Sequence, residues 1–243
     1  MRILLIIFML LSQLPASAAG LRVISESNPP FNYENLGQPT GISTDIFLLM
    51  ADRAGLNLSR QDISIWPWAR GYQEIQKKSD VILFSMAKTE ARKDLFQWIG
   101  PIMPLYGSLI ALKKRNIRIS DPIKEASLYR FGTIRASASE QYLIRNGMDI
   151  KYIYPVHDLK LNAKKLHENR IDVMVANESA AFFTMKQMGY DPADVEVVLR
   201  LFSSLLYFAA SLDMDPAIVQ RLQTALDQLK ADGTVDRIIS DYR

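Results

Sequence analysis

Two segments of the sequence share one pattern and end in polar residues that could contact a ligand. Asp80 precedes an apolar run that ends at Ser85, and Asp172, 92 residues later, precedes one that ends at Asn177. Both runs are predicted strands, so these polar side chains fall at carboxyl ends, where open parallel sheets bind ligands. We therefore predict two α/β lobes whose sheet edges face each other across a cleft. The alternative is that any two strand–helix–strand units look alike.

The elements that must position these residues alternate between short apolar strands and amphipathic helices, which is typical of α/β architecture. The predicted strands cover residues 21–25, 58–65, 81–84, 131–134, 151–154 and 173–176. The predicted helices begin near Ser43 or Thr44 and at residues 68, 137, 158 and 216, and a short helix ends at 242. Residues 28–40, rich in Pro and Gly, are predicted to be turns.

Composition excludes several classes of protein. The chain has 243 residues, of which 49% are apolar, and this fraction is too high for a disordered protein. The absence of cysteine excludes disulfides, thiolate zinc sites and a cysteine nucleophile, and two histidines make a multi-histidine metal site improbable. A net charge of +3 is too weak for a nucleic-acid-binding protein. We expect no metal, no cofactor and no nucleic-acid partner.

The first 19 residues are predicted to be a cleaved signal peptide. Arg2 is followed by an apolar run from Ile3 to Leu11, and the small residues Ala16 to Ala19 resemble a cleavage site. The run is too short for a helix that spans a bilayer, although a retained anchor is the alternative. This segment predicts export to the periplasm.

Four motifs, in order along the chain, resemble those of the bacterial family 3 periplasmic solute-binding proteins. They are Asn28-Pro29-Pro30-Phe31 with Gly41 and Asp45, Ser85 to Arg92 with Phe96 and Pro101, Arg170-Ile171-Asp172, and Lys230 to Thr234 with Tyr242. The resemblance implies an α/β, two-lobed periplasmic-binding-protein fold of type II with two hinge crossings, expected at 104–107 and 201–205. Lobe 1 would comprise 20–105 plus 205–243, and lobe 2 would comprise 106–204.

The resemblance also implies which residues bind the solute. Arg92 matches the arginine that clamps the ligand's carboxylate, and a planar guanidinium can donate two parallel hydrogen bonds to such a group. The alternative is a surface arginine paired with Glu90 or Asp94. The other candidates are expected to face the cleft: Asn28, Phe31, Trp66, Trp68, Arg70, Ser85, Ala87, Arg135, Ser137, Ser139, Asn177 and Glu178. No catalytic residue is expected.

The sequence departs from the amino-acid-binding pattern at Asn177, where such members carry an aspartate that neutralises the ligand's ammonium. A serine of the pattern is also replaced, by Ala87. Burying an ammonium without a counter-charge costs several kcal/mol. Either Glu26 or Glu178 replaces the missing carboxylate, or the solute is not a standard α-amino acid.

The function implied by the resemblance is capture of a small, polar, carboxylate-bearing solute by hinge closure. A monomer would then deliver it to an inner-membrane ABC permease. Two alternatives remain: a cyclohexadienyl-dehydratase-like enzyme on the same fold, with Glu178 as its acid, or a module that reports the solute to a membrane receptor.

Overall fold

The computed structural model describes residues 20–242, so the predicted signal peptide lies outside the described residues. The strands are β1 (Arg22–Ser25), β2 (Tyr33–Asn35), β3 (Gln38–Thr40), β4 (Ile63–Ile65), β5 (Val81–Ala87), β6 (Gln97–Ile99), β7 (Pro104–Leu112), β8 (Phe131–Ile134), β9 (Ile153–Val156), β10 (Val173–Asn177) and β11 (Val195–Ala210). The α-helices are α1 (Ile42–Arg53), α2 (Trp68–Lys77), α3 (Ala138–Arg145), α4 (Leu159–His167), α5 (Glu178–Gln187), α6 (Pro216–Ala231) and α7 (Thr234–Asp241). Within the described range, no helix is both long and apolar enough to cross a membrane.

Two parallel groups of strands form the two lobes. In the first lobe, β1 lies between β4 and β5 and runs parallel to both. In the second lobe, β8 lies between β9 and β10, again in parallel. The order along the hydrogen-bonded path is β4-β1-β5-β11-β7-β10-β8-β9, with β6 paired to β11. The antiparallel strands β7 and β11 therefore connect the two parallel groups.

The strand β11 passes from one lobe to the other. Its residues 195–205 pair with β7, and its residues 206–210 pair with β5 and β6. The register shifts twice along the pairing with β7 and once along the pairing with β5. Such irregularities bend a strand and increase its twist. One continuous 16-residue strand can therefore serve two differently oriented sheets.

The central strand of each lobe is buried on both faces. Along β5, Leu83 packs in a cluster with Trp68, while Phe84 packs with Phe47 on the other face. Along β10, Val173 and Val175 belong to one cluster and Met174 and Ala176 to another. Parallel strands covered by helices on both faces have this pattern. Only the carboxyl ends of these strands are left to face a ligand.

The C-terminal helices return to the first lobe. Helices α6 and α7 both pack against α1. The hydroxyl of Tyr242 donates to Asp45 Oδ2 at 2.6 Å and accepts from the backbone N–H of Gly41 at 3.0 Å. Gly41 has φ of +114°, and a Cβ there would collide with the Phe31 carbonyl. Helix α1 therefore begins directly after this glycine, at Ile42, and its N-cap Gly41 lies two to three residues before the N-cap predicted at Ser43 or Thr44.

Several predicted elements differ from the structure. Residues 28–40 contain the hairpin β2–β3, and the strand predicted at 58–65 is a 3₁₀ turn followed by the short β4. The strand predicted at 151–154 begins two residues later. The long strands β7 and β11 were not predicted. By contrast, the residues of α6 and β8 are those expected.

The repeated aspartate has different surroundings in the two lobes. Asp172 is 5% exposed, and its carboxylate accepts from Arg130 Nε at 2.9 Å and pairs with Arg115 at 2.6 Å. Burial alone would raise the pKa of Asp172, but the hydrogen bonds from Arg130 and Arg115 outweigh burial and hold the pKa at about 2. Asp80 is exposed and has no ion pair within residues 20–242.

We predict that Asp172→Asn destabilises the protein and that Asp80→Asn does not. At pH 7 the free energy of unfolding should fall by about 2–4 kcal/mol for Asp172→Asn, because two guanidinium groups lose their counter-charge. A carboxyl with a lowered pKa stabilises above its ordinary pKa, and this contribution is lost as pH falls towards 2. Urea unfolding at pH 7 and pH 3 should show a smaller difference from wild type at pH 3. Equal differences at both pH values would contradict the assignment.

Candidate functional site

A cavity of about 100 Å³ lies between the lobes at the carboxyl ends of their central strands. This is several times the roughly 10–15 Å³ that one water molecule requires, so a small solute fits. The polar residues that line it come from both lobes: Glu26, Ser27, Asn28, Ser85, Arg92, Ser137, Ser139 and Asn177. The apolar part of the wall includes Trp68, Leu105, Ile134, Leu159, Phe202 and Leu206.

Arg92 is a buried charge on the cavity wall. Arg92 lies in the segment that follows β5, and it is 1% exposed. The guanidinium lies 4.8 Å from the centre of the Tyr72 ring and 5.3 Å from that of Trp68. Its Nε donates to Gln141 Oε1 at 3.1 Å, and its Nη2 donates to the carbonyl of Ala136 at 3.0 Å. Both acceptors belong to the second lobe, so Arg92 connects the lobes.

The carbonyl of Ala136 accepts a second hydrogen bond from the first lobe, from Trp68 Nε1 at 2.9 Å. Ala136 has φ of +59°, in the left-handed region that a residue with a Cβ rarely adopts. Such a conformation costs of order 1–3 kcal/mol and persists where surrounding contacts hold it. Here the two donors from the first lobe are contacts of that kind.

Glu26 faces the same cavity from the end of β1 and is partly exposed. Burial raises the pKa of Glu26 to about 8, although the nearby Arg92 lowers it. Burial likewise lowers the pKa of Arg92, while Tyr72 and Glu26 raise it and Arg145 lowers it. At pH 7 the Glu26 carboxyl is therefore mostly protonated, and the cavity wall has a net positive charge.

Two helix N-termini of the second lobe add to the positive potential. Ser137 caps α3 and Asn177 caps α5, and both line the cavity. The first turn of a helix leaves backbone N–H groups without intrahelical partners, which favours an anionic group nearby. The lining thus combines a guanidinium with two helix N-termini.

The structure places eight of the predicted site residues on the cavity wall: Asn28, Trp68, Ser85, Ala87, Arg92, Ser137, Ser139 and Asn177. The Ser85 hydroxyl donates a hydrogen bond to Ser43 Oγ at 2.8 Å. Five other predicted residues do not line it: Phe31, Trp66, Arg70, Arg135 and Glu178.

Each of these five has a different environment from the one predicted. Phe31 is buried in the core that includes Phe47. The Arg70 guanidinium lies 3.8 Å from the centre of the Trp66 ring, so these two side chains pack against each other. Arg135 is exposed.

Glu178 is held in an ion pair away from the cavity. Its carboxylate accepts from Arg200 at 2.7 and 3.0 Å and from Ser108 Oγ at 2.6 Å. Burial would raise its pKa, but the hydrogen bonds from Arg200 and Ser108 lower it overall. An ionised, paired carboxylate is a poor general acid.

The sequence analysis missed the wall residues that come from β7 and β11. Leu105 and Gly107 lie on β7, and Phe202 and Leu206 lie on β11. Leu105, Gly107 and Phe202 lie within the hinge crossings expected at 104–107 and 201–205, but neither strand was predicted, so nothing placed their side chains on the cavity wall. Gly107 and Phe202 are directly paired across the two strands, and a Cβ at Gly107 would collide with the Phe202 ring.

Two parallel α/β lobes joined by two long strands, with a cavity at the facing strand ends, define a binding protein of the type II periplasmic fold. The family model for bacterial extracellular solute-binding proteins, family 3, matches residues 21–243, and the chain belongs to this family.

Its sequence is 22% identical to that of the amino-acid-binding protein AabA of Dichelobacter nodosus over 225 residues, which cover 91% of this chain and 86% of that protein. The probable amino-acid-binding protein YxeM of Bacillus subtilis (strain 168) is also 22% identical, over 88% of this chain and 79% of YxeM. A similar fold occurs in an ABC uptake transporter substrate binding protein from Streptococcus pneumoniae with bound histidine, with a TM-score of 0.80, 15% identity and 93% of each chain covered.

We predict that Glu26→Gln removes a pH dependence of stability. Between about pH 4.5 and pH 8 the folded protein holds a proton that the unfolded chain has released, because the folded pKa is raised. The free energy of unfolding of wild type should therefore fall as pH rises through this window, by up to about 1.4 kcal/mol per unit for this one group. Thermal unfolding from pH 5 to pH 8.5 should show the Gln variant becoming progressively more stable relative to wild type.

The matched control is Glu34→Gln, which removes an exposed carboxyl on β2 outside the cavity. This variant removes the same charge as Glu26→Gln at a position away from the cavity. A parallel pH profile for Glu26→Gln and wild type would mean that Glu26 ionises normally.

Proposed function

We propose that this chain is a periplasmic amino-acid-binding protein that captures a small carboxylate-bearing solute and delivers it to an inner-membrane ABC transporter. The observation that carries the proposal is the buried guanidinium of Arg92 on the cavity wall. Within residues 20–242, Arg92 has no ion-pair partner. A buried charge without a counter-charge favours binding of a ligand that supplies one.

A carboxylate matches this wall chemically. The guanidinium can donate charge-assisted hydrogen bonds to it, and the N-termini of α3 and α5 approach from the other lobe. The anion would thus contact both lobes at once. Contacts that exist only when the lobes are together supply the differential affinity that drives closure.

We infer that lobe 1 comprises 20–105 plus 205–243 and lobe 2 comprises 106–204, with the hinge in β7 and β11. This division follows the point at which β11 exchanges β7 for β5 and β6 as its partner. The closed form is held by Arg92 with Gln141 and by the contact of Tyr33 with Phe183, whose rings are 5.8 Å apart.

The relatives support the choice of solute and partner. AabA is named as an amino-acid-binding protein, and the S. pneumoniae protein as the substrate-binding component of an ABC uptake transporter. The family is extracellular, which agrees with the predicted signal peptide. A dehydratase is disfavoured because Glu178, its expected acid, pairs with Arg200. A receptor-sensing role would use the same closed form with a different partner.

We predict that purified, ligand-stripped protein is stabilised by an L-amino acid and that Arg92→Lys loses this effect. An amino acid at 100 times its Kd should stabilise wild type by about 2.7 kcal/mol. Lysine keeps the charge but not the paired geometry, so affinity should fall by about 30-fold or more. Thermal shift against the twenty L-amino acids, followed by titration calorimetry, measures both quantities.

The control is Arg118→Lys, which changes an exposed arginine paired with Glu196. Its affinity should match that of wild type. Binding of no amino acid would refute the proposed solute class, and unchanged affinity in Arg92→Lys would refute the role of Arg92. Mass spectrometry should recover the bound amino acid unaltered; a converted product would favour the enzyme.

We also predict that Gln141→Ala weakens binding of every accepted amino acid by a similar factor, roughly 3–10-fold. Gln141 contacts Arg92 across the seam, and its loss removes a contact of the closed form. Calorimetry should show an unchanged order of preference. Gln187→Ala, at an exposed position on α5, is the control. An altered order of preference would mean that Gln141 contacts the solute itself.

A further inference from the structure

We propose that Glu26 determines the specificity of this site by binding the cationic group of a zwitterionic solute, whose carboxylate Arg92 holds. The inference rests on the proposed function and adds to it the residue that recognises the ammonium. The sequence left open whether Glu26 or Glu178 neutralises the ammonium, or whether the solute is not a standard α-amino acid. The proposal assigns this role to Glu26, in the first lobe.

Glu26 is the one acidic side chain on the cavity wall within the described residues. Its backbone is fixed, because its carbonyl accepts from Asn32 Nδ2 at 2.8 Å and it directly follows β1. Its carboxyl, however, has neither a hydrogen bond nor an ion pair among residues 20–242. A partly exposed carboxyl that faces a cavity without a partner is available to a ligand.

The Asn177 amide oxygen and the other carboxylates near the cavity are already occupied. Asn177 Oδ1 accepts from the backbone N–H of Ala180 at 3.1 Å as the cap of α5. Glu178 pairs with Arg200, and the carboxylate of Glu140 accepts from Thr133 Oγ1 at 3.1 Å and from the backbone N–H of Ala136. None of these carboxylates lines the cavity. An ammonium in the cavity therefore has Glu26 as its counter-charge.

The charges of the wall match a zwitterion. Arg92 and Glu26 are near enough for each to influence the other's pKa, yet they form no ion pair with each other. A solute with both a carboxylate and an ammonium can neutralise both groups. A solute with a carboxylate alone satisfies Arg92 and leaves Glu26 protonated.

Binding of an ammonium should release a proton from Glu26. On the cavity wall its carboxyl is mostly protonated at pH 7 because burial raises its pKa, and an adjacent cation favours the ionised form. The charged group that acts on Glu26 is Arg92, and Arg92 is in turn influenced by Arg145 and by the titratable hydroxyl of Tyr72. Affinity for an amino acid should therefore increase about tenfold for each unit by which the pH rises, up to about pH 8.

The experiment compares amino acids with their des-amino acids on wild type and Glu26→Gln. After a screen of the twenty L-amino acids, the pairs are L-alanine with propionate, L-histidine with imidazole-4-propionate, and L-glutamine with 4-carbamoylbutanoate, together with the corresponding pair for the tightest binder. Glu26→Gln should weaken amino-acid binding by about 30-fold or more and change des-amino-acid binding by less than about threefold.

Calorimetry in buffers of different ionisation enthalpy supplies a second readout. Wild type should release close to one proton per amino acid bound at pH 7 and none per des-amino acid. Glu26→Gln should release none with either and should lose the pH slope of affinity. Circular dichroism and thermal unfolding establish that the variant is folded, and Glu34→Gln is the charge-matched control.

The outcomes separate the two proposals. If wild type binds no amino acid, both fail. A different result is that wild type and Glu26→Gln bind amino acids with similar affinity while Arg92→Lys does not bind them. In that case the carboxylate site at Arg92 stands and the assignment of Glu26 is wrong. Equal affinity of wild type for an amino acid and its des-amino acid, or binding without proton release, would also overturn the assignment.

Discussion

The arrangement of this molecule depends on a guanidinium that is buried between two lobes. Removing Arg92 from water is costly unless its N–H groups find acceptors. The acceptors are the Ala136 carbonyl and the Gln141 amide, and both belong to the second lobe, while Tyr72 and Trp68 of the first lobe present their ring faces. The charge is therefore satisfied only when the lobes meet, which links its burial to closure.

The position of this charge follows from the sheets. Because β5 and β10 are covered on both faces, their carboxyl ends are the parts of each lobe left to face the other. The antiparallel pair β7–β11 sets the distance between these ends. Its register shifts let the strands bend while keeping their hydrogen bonds. The same pair thus forms part of the cavity wall and the connection about which the lobes would move.

The sequence predicted best what is encoded locally. Helix α6 has a clear amphipathic period, and its predicted residues match the structure. Two helices were expected to begin at residues 137 and 158, and Ser137 and Asp158 cap α3 and α4. The strands β7 and β11 depend on each other over a long separation in sequence and have irregular register, so periodicity did not reveal them. Arg135 and Glu178 occupy plausible places in the chain, but side-chain direction and the competing partner Arg200 cannot be read from spacing.

A direct ion pair between Glu26 and Arg92 would have neutralised the cavity wall and stabilised the folded chain by itself. The structure instead keeps the two groups on one wall without pairing them, and burial raises the pKa of Glu26 more than the nearby Arg92 lowers it. A site that satisfied its own charges would compete with the solute for the same hydrogen bonds. Under the proposed function, leaving both groups without an internal ion pair transfers that stabilisation to the bound state, as expected where function and stability oppose each other. If Arg92 and Glu26 bind the solute as proposed, the specificity of the cavity comes from two groups that residues 20–242 leave without an ion pair.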